Sequence, residues 1–474
     1  MTWISFAPEL LTLLMAAIFF SFSMARKPGA RGNFLAAAFV SASGVAAALG
    51  AVGANGVFFA QVYRLDFFSQ VFKVVLSLGL FLVVCLCSEL RGIEERQHPE
   101  CYLLLSLSTL GTMMMVSSVE LLTLYVSLEV SSYSLYLLAA LRKGEATHRE
   151  AGIKYLLTGA TTSAVMLFGL ALLFGATSTT DLAELRSVLP SVMGRPIFVL
   201  GVLLALSGFF FKLALFPFHV WAPTVYQGAA NQVAAYIATA TKAAAAAVLV
   251  RLAASLGENN AHLVSALMIL SIASMTFGNL VALRQKDLKR LFAYSAVAHA
   301  GYVLIGILSA SEKGYGGAIF YSFAYLTMTY ACFLVIVKVA FDGKNITMDG
   351  LAGLHQRSPL LAMTLLLGVF SLGGIPPTIG FTAKFLVFVA ALEQGLFYLV
   401  LIGMINVVVS LYYYALIVKA AYLTPPKEEA GPIVVSPAAK VLTFLIALAI
   451  IVGGLFPRHL YDLALVAARA LLLP

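Results

Sequence analysis

Long apolar runs follow one another along the chain, each bounded by a short cluster of charged residues, Gly, Pro or Asn. A run of about twenty residues crosses about 30 Å of hydrocarbon as a helix. The pattern therefore predicts spans near 8–25, 33–53, 66–90, 101–118, 120–141, 151–175, 196–217, 231–256, 261–283, 288–309, 314–341, 360–390, 396–419 and 438–457. Only the local "SSVE" at 117–120 divides the fourth from the fifth. Residues 177–195 are too polar to span, and Thr180 ahead of Asp181 and Glu184 reads as the capped start of a short interfacial helix. The expected fold is an all-α polytopic membrane protein of about 14 transmembrane helices.

Two spans are interrupted, by "LFPFH" at 215–219 and "SLGGIPPTIGF" at 371–381, with Pro217, Gly374, Pro376 and Pro377 as the breaking residues. The breaks lie five helices apart, and broken helices at corresponding places in two halves predict two inverted five-helix repeats with functional groups near the midplane. The expected divisions are a three-helix segment over 1–100, repeats over 101–256 and 257–419, and a C-terminal helix and tail over 420–474.

Composition agrees, since 61% of residues are apolar and 11% charged, where ordinary globular chains carry roughly 25% charged residues. Mean hydropathy is +0.96. The formal charge of +9 falls in short loops beside apolar runs, which reads as membrane topology and not as a nucleic-acid face. The richer set of loops holds Arg26, Lys27 and Arg31; Arg142, Lys143 and Arg149; and Arg284, Lys286, Lys289 and Arg290, with Lys427 in the last of the set. These loops are expected on the cytoplasmic side, with both termini outside. The first run has no basic residues before it and is long enough to span, so no cleavable signal is expected. Cys85, Cys87, Cys101 and Cys332 fit no metal or redox spacing, and there is no P-loop, GxGxxG or GxSxG motif, so no cofactor or metal is expected in this chain.

Ionisable residues inside hydrocarbon are costly and are functional candidates by default. Here they are Glu129, Lys154, Lys212, Lys242, His299 and Lys384. Pro217 cannot donate to the carbonyl of Leu213, next to Lys212, and a freed carbonyl can hold an ammonium group or water. Desolvation moves lysine and glutamate toward neutral pH, so such a series can pass protons, and Glu129 with Lys212 could form a pair that opens and closes. His219, two turns from Lys212, is an accessory candidate. Lys154, one turn inside a basic boundary, could instead snorkel, and Glu120 reads as interfacial. Lys73 and Lys338 sit in apolar runs with no evident partner, and the Tyr412–Tyr414 and Phe209–Phe211 runs read as packing aromatics.

"FKLALFPFHVWAPTVYQGA", "ATKAAA", "GNLVALRQKDLKRLFAYSAVAHAGYVLIG" and "SLGGIPPTIGFTAKFLVF" together resemble the antiporter-like membrane subunits of respiratory complex I, the NADH-quinone oxidoreductases, most nearly the subunit N type. The likeness runs over nearly the whole chain. It implies fourteen helices, two inverted five-helix repeats, and a proton-translocating axis of a glutamate on helix five and lysines on helices seven, eight and twelve. These fall on Glu129, Lys212, Lys242 and Lys384, with Lys154 and His299 also on family positions. It further implies that flavin, iron–sulfur clusters and quinone belong to partner subunits, and that quinone reduction there drives transport in a bacterial inner membrane. Relatives commonly read W-x-P-D-V-Y-x-G-A-P where this chain has Thr224 and then "GAANQV", so an acid and a proline are missing from that loop. Other readings stay open: a subunit of a multi-subunit sodium/proton antiporter, a membrane subunit of a related redox complex with another electron donor, and a membrane scaffold that transports nothing.

Overall fold

The structure, a computed structural model, describes residues 3–25, 29–144, 146–256, 261–340, 342–426 and 431–472. Arg26, Lys27 and Lys427, used in the charge argument, lie outside the described residues. The chain is helical nearly throughout. The first three spans are α1 (Ala7–Ala25), α2 (Ala30–Gly50) and α3 (Phe67–Leu86), with an antiparallel hairpin of β1 (Gly56–Phe58) and β2 (Tyr63–Leu65) before α3. Then come α4 (His98–Ser117), α5 (Leu121–Ala140) and α6 (Ala146–Thr177), followed by the short α7 (Leu182–Val192). The seventh span consists of α8 (Pro196–Ala205) and α9 (Ser207–Leu213), and α10 (Trp221–Gly228) follows its break. The eighth is α11 (Asn231–Ala238) and α12 (Ala240–Leu256). After α13 (Ala261–Ala282), α14 (Leu288–Leu308) and α15 (Glu312–Val339), the one-turn α16 (Leu354–Arg357) leads to α17 (Pro359–Gly373) and α18 (Ile379–Glu393), the two halves of the twelfth span. The chain closes with α19 (Phe397–Tyr422), α20 (Pro437–Leu455) and α21 (Arg458–Leu472). Among the described residues, thirteen helices are long and apolar enough to cross a membrane, and we count the broken α17–α18 as the fourteenth span.

The doubtful division at 117–120 is real. Ser118 is extended and pairs with Tyr63 of β2, and the Glu120 carboxylate caps α5 by accepting from the backbone N–H groups of Leu122 and Thr123. Burial works to raise the Glu120 carboxyl, but these N–H groups and the Thr180 and Thr123 hydroxyls hold it below its ordinary value. The interfacial helix is also present as α7, but its cap is Asp181, whose carboxylate accepts from Ala183 and Glu184, and not Thr180.

The inner helices are buried on all sides. In the eighth span the whole apolar window is buried, against 94% in α14 and 89% in α15, whereas α2, α13 and α20 leave most of theirs outward toward lipid or neighbouring subunits. The candidate lysines sit on or against those inner elements.

Candidate functional site: a buried polar axis

The two breaks are built alike. At the end of α9, Ala214 takes a left-handed conformation (φ 60°), its N–H returns to Phe210 and Phe211, and the N–H of Leu215 bonds the Phe210 carbonyl at 2.9 Å. At the end of α17, Gly374 (φ 81°) returns its N–H to Phe370 and Ser371, and Ile375 bonds the Phe370 carbonyl at 2.9 Å. This is the helix C-terminal closure with a left-handed residue. A proline follows three residues later in both cases, Pro217 and Pro377, each in a cis peptide bond.

The carbonyls freed at these ends hold lysines. Lys242, 3% exposed, reaches from α12 to donate to the Leu213 carbonyl. The prediction that this carbonyl would be free to accept is met, but the group that uses it is Lys242 and not its neighbour Lys212. Lys384, on α18, donates to Leu372 O at 2.8 Å and Gly373 O at 3.1 Å across its own break, and its ammonium lies 4.9 Å from the Tyr302 ring centre. The Phe211 carbonyl is taken by Trp221 Nε1 at 2.9 Å, whose indole stacks on Tyr155.

Lys212 is also buried, but its partners are hydroxyls, Ser131 at 2.8 Å and Ser132 at 3.1 Å, with Ser131 in turn 3.1 Å from Ser108. Glu129 and Lys212 are not in contact. Both Glu129 carboxylate oxygens are buried without a hydrogen bond, with Ser163 and the Lys212 charge as their polar surroundings. His299 joins the second half of the axis: Nδ1 lies 2.7 Å from the Tyr321 hydroxyl and Nε2 3.3 Å from that of Tyr414, which also bonds Ser295 at 2.6 Å. Lys242 and His299 line one cavity of about 20 Å³ with Leu213, Ser322 and Tyr325. That is the volume of about one water, behind a wall that is mostly apolar.

Three expectations need correction. Lys154 is not on the axis: it points from the exposed face of α6 and forms an ion pair with Glu150 one turn earlier, as its closeness to the helix start allows. Tyr413 and Tyr414 are more than packing aromatics, because their hydroxyls belong to the buried network, Tyr413 donating to Asn279 at 2.9 Å; Tyr412 alone is exposed. Lys73 does have a partner, Glu9 of α1, at 2.6 Å. His219 lies in the segment after the first break, buried against Phe216 and Phe277, with Nδ1 lacking a hydrogen bond.

Sequence reasoning missed the serines around Lys212, the kink at Thr239 and the contacts of the unusual loop. Thr239 (φ −117°, ψ −87°) separates α11 from α12 just before Lys242, and its hydroxyl bonds back to Ala235. The loop that lacks the acid and proline is held by cations: Arg142 donates to Gln227 O, Gly343 O and Asn345, and the fully buried Lys289 donates to Ala229 O at 2.8 Å.

Fourteen spans, two of them broken toward buried lysines, define an antiporter-like transport subunit. The family model described as "NADH:quinone oxidoreductase/Mrp antiporter, TM" matches residues 118–410, and the chain belongs to that family. It is 55% identical over 472 residues to "NADH-quinone oxidoreductase subunit N 2" of Syntrophobacter fumaroxidans, covering 100% of both chains. It is 44% identical over 475 residues to the protein of the same description from Solidesulfovibrio magneticus, covering 99% and 100%. Among solved structures it resembles a chain of respiratory complex I from Thermus thermophilus (TM-score 0.83, 31% identity, 97% and 99% covered). A chain of the Mrp complex from Dietzia shares the fold (TM-score 0.87, 20% identity, 100% and 98% covered).

Proposed function

We propose that this chain is a proton-translocating membrane subunit of a complex I-type NADH-quinone oxidoreductase, driven by quinone reduction in partner subunits that carry the flavin, iron–sulfur and quinone sites. The observation that carries the reading is the sequence of buried basic groups, with Lys242 and His299 facing one water-sized cavity and Lys384 on the second break. Ammonium and imidazole groups exchange protons but repel a metal cation, which favours protons over sodium as the transported ion.

In this reading Glu129 and Lys212 form the switching pair, here apart. When the carboxylate approaches, the ammonium form is favoured; when it withdraws, the lysine releases its proton toward the serines and the next lysine. Lys242, His299 and Lys384 then relay it, while Pro217, Gly374, Pro376 and Pro377 hold the breaks open and His219 stands beside the first. The repeats over 101–256 and 257–419 are the two halves of that path, flanked by 1–100 and 420–474. The chain sits in the bacterial inner membrane beside other antiporter-like and small helical subunits, both termini outside.

The test is proton uptake by everted membrane vesicles during NADH oxidation in sodium-free buffer, with this subunit present or deleted and restored. Uptake that depends on the subunit without sodium supports the reading. Transport that requires sodium would replace it with the antiporter alternative.

A further inference from the structure

A second cluster of buried ionisable groups lies outside the axis, near the face that carries the N-terminus. Lys73, fully buried on α3, sits 2.6 Å from Glu9 Oε1, and the Tyr63 hydroxyl donates to the same oxygen at 2.6 Å. The other oxygen, Glu9 Oε2, is buried with no hydrogen bond although the residue is 8% exposed. Glu9, Tyr63 and Thr123 are the polar members of the wall of a cavity of about 540 Å³ otherwise lined by Phe6, Leu10, Phe58 and other apolar side chains. That wall is almost wholly apolar, and Glu9, 8% exposed, is its one charged member.

Between the cluster and the axis lie several serine hydroxyls, spaced about a helical turn apart and not joined into one continuous hydrogen-bonded chain. Lys212 bonds Ser131 at 2.8 Å, and Ser127 lies one turn nearer the α5 start, 3.5 Å from Ser118. Ser118 is the backbone partner of Tyr63, and the buried Ser117 hydroxyl lies beside the Tyr63 hydroxyl. Gly111 fixes the spacing, since a Cβ there would stand 2.6 Å from Ser131 N and 2.9 Å from Ser127 O, so α4 lies directly on the serine-bearing backbone.

We propose that Glu9 is the proton-release group of the Lys212 half of the path, with Tyr63 as the last relay and Lys73 as the residue that positions and tunes Glu9. A proton arriving from the serines binds the Tyr63 oxygen as Tyr63 passes its own hydrogen to Glu9 Oε1. The protonated carboxyl then turns, gives that same proton to water at its slightly exposed edge and returns to the carboxylate, which the Lys73 ammonium favours. The net change is one proton moved, with every group restored. Besides Glu9 and Tyr63, the charges facing Lys73 are Asp66 at the α3 start and Arg251 of α12, which neutralise each other, and Arg64 is the remaining charge on the hairpin. The inference rests on the axis reading given above.

The plain alternative is a buried ion pair that only ties α1 to α3. Replacing both partners of such a pair by neutral groups of similar shape is often tolerated, so the double variant Glu9→Gln/Lys73→Met separates the two. The expected result is an assembled complex whose coupled proton uptake in everted vesicles falls by at least roughly tenfold, as for loss of a positioned proton-transfer group. Its turnover should also lose the wild-type slowing when the vesicle lumen is acidified. An assembled double variant with wild-type uptake and lumenal pH response overturns the proposal. If the double variant does not assemble, Tyr63→Phe decides, because it leaves the ion pair whole and removes only the relay hydroxyl: lowered uptake supports the proposal and normal uptake overturns it. Lys212→Met, assayed alongside, distinguishes the failures. Normal uptake there removes the axis reading and this one with it, whereas loss there with normal uptake in the outer variants removes this one alone.

Discussion

Lys212→Met keeps the length of the side chain and deletes the ammonium. Holding that charge in a dry interior costs several kcal/mol. Its two hydrogen bonds, to Ser131 and Ser132, return about 1.5–3 kcal/mol each, so the balance is near zero. After substitution Ser131 keeps Ser108 as a partner, whereas Ser132 loses its bond to the ammonium. Assembly should therefore be unchanged on native gels. Transport should not be: removal of a positioned proton-transfer group costs about 10²–10⁴ in rate, read as fluorescence quenching in everted vesicles during NADH oxidation, normalised to assembled complex. Lys212→Arg should fail as well, because arginine stays charged throughout. Wild-type quenching by assembled Lys212→Met would refute the role, and failure to assemble would refute the energetic argument.

Glu129→Gln should assemble, pump poorly and shift the pH profile of turnover, with Glu129→Asp keeping part of the activity. Glu120→Gln is the control and should lose only about 1 kcal/mol of helix capping; equal pumping and pH profiles for Glu129→Gln and Glu120→Gln would remove the switching pair. Lys143→Cys, at an exposed position, should react with an impermeant thiol reagent from the cytoplasmic face only, and labelling from outside would reverse the topology. Gly374→Ala should impair both assembly and pumping, since φ is +81° and the new Cβ would stand 2.9 Å from Lys384 Cδ; the left-handed backbone alone costs about 1–2 kcal/mol. Asp66→Ala should destabilise by about 3–5 kcal/mol because Arg251 is left buried and unpaired. Burial works to raise the Asp66 carboxyl, but Arg251 and Ser69 hold it below the ordinary value. The pair's stabilisation is therefore full above the unfolded value near pH 4 and is lost as pH falls through the folded one, which thermal melts of Asp66→Asn against wild type across pH would read.

Span number, the two breaks and the four deep basic residues were legible because each is a local signal: a long apolar run, a proline or glycine pair, a charge where charge is costly. Partnerships were not. Glu9 stands in the first turn of α1, where an acid looks like an ordinary helix-start residue, and only the folding of α3 against it reveals Lys73. Leu213 was identified as an acceptor from Pro217 four residues on, but which lysine reaches it depends on the kink at Thr239, made by a threonine bonding back to its own helix with no proline to announce it. The choice left open for Lys154, between the axis and the exposed face, turned on the same kind of information. Depth along a helix can be counted from sequence, whereas the face it presents depends on neighbours.

The carbonyls of Leu213, Leu372 and Gly373 can accept a hydrogen bond but cannot keep a proton, since a protonated amide is far too acidic to persist. A lysine anchored to them is therefore tethered without being drained. On the proposed path Lys242 would exchange on its other side, where His299 and the small cavity lie, and Lys384 away from α17. Each broken helix thus closes one side of its lysine, so that on the proposed path protons would enter and leave by the same open side, and the direction of net flow would have to come from elsewhere in the complex.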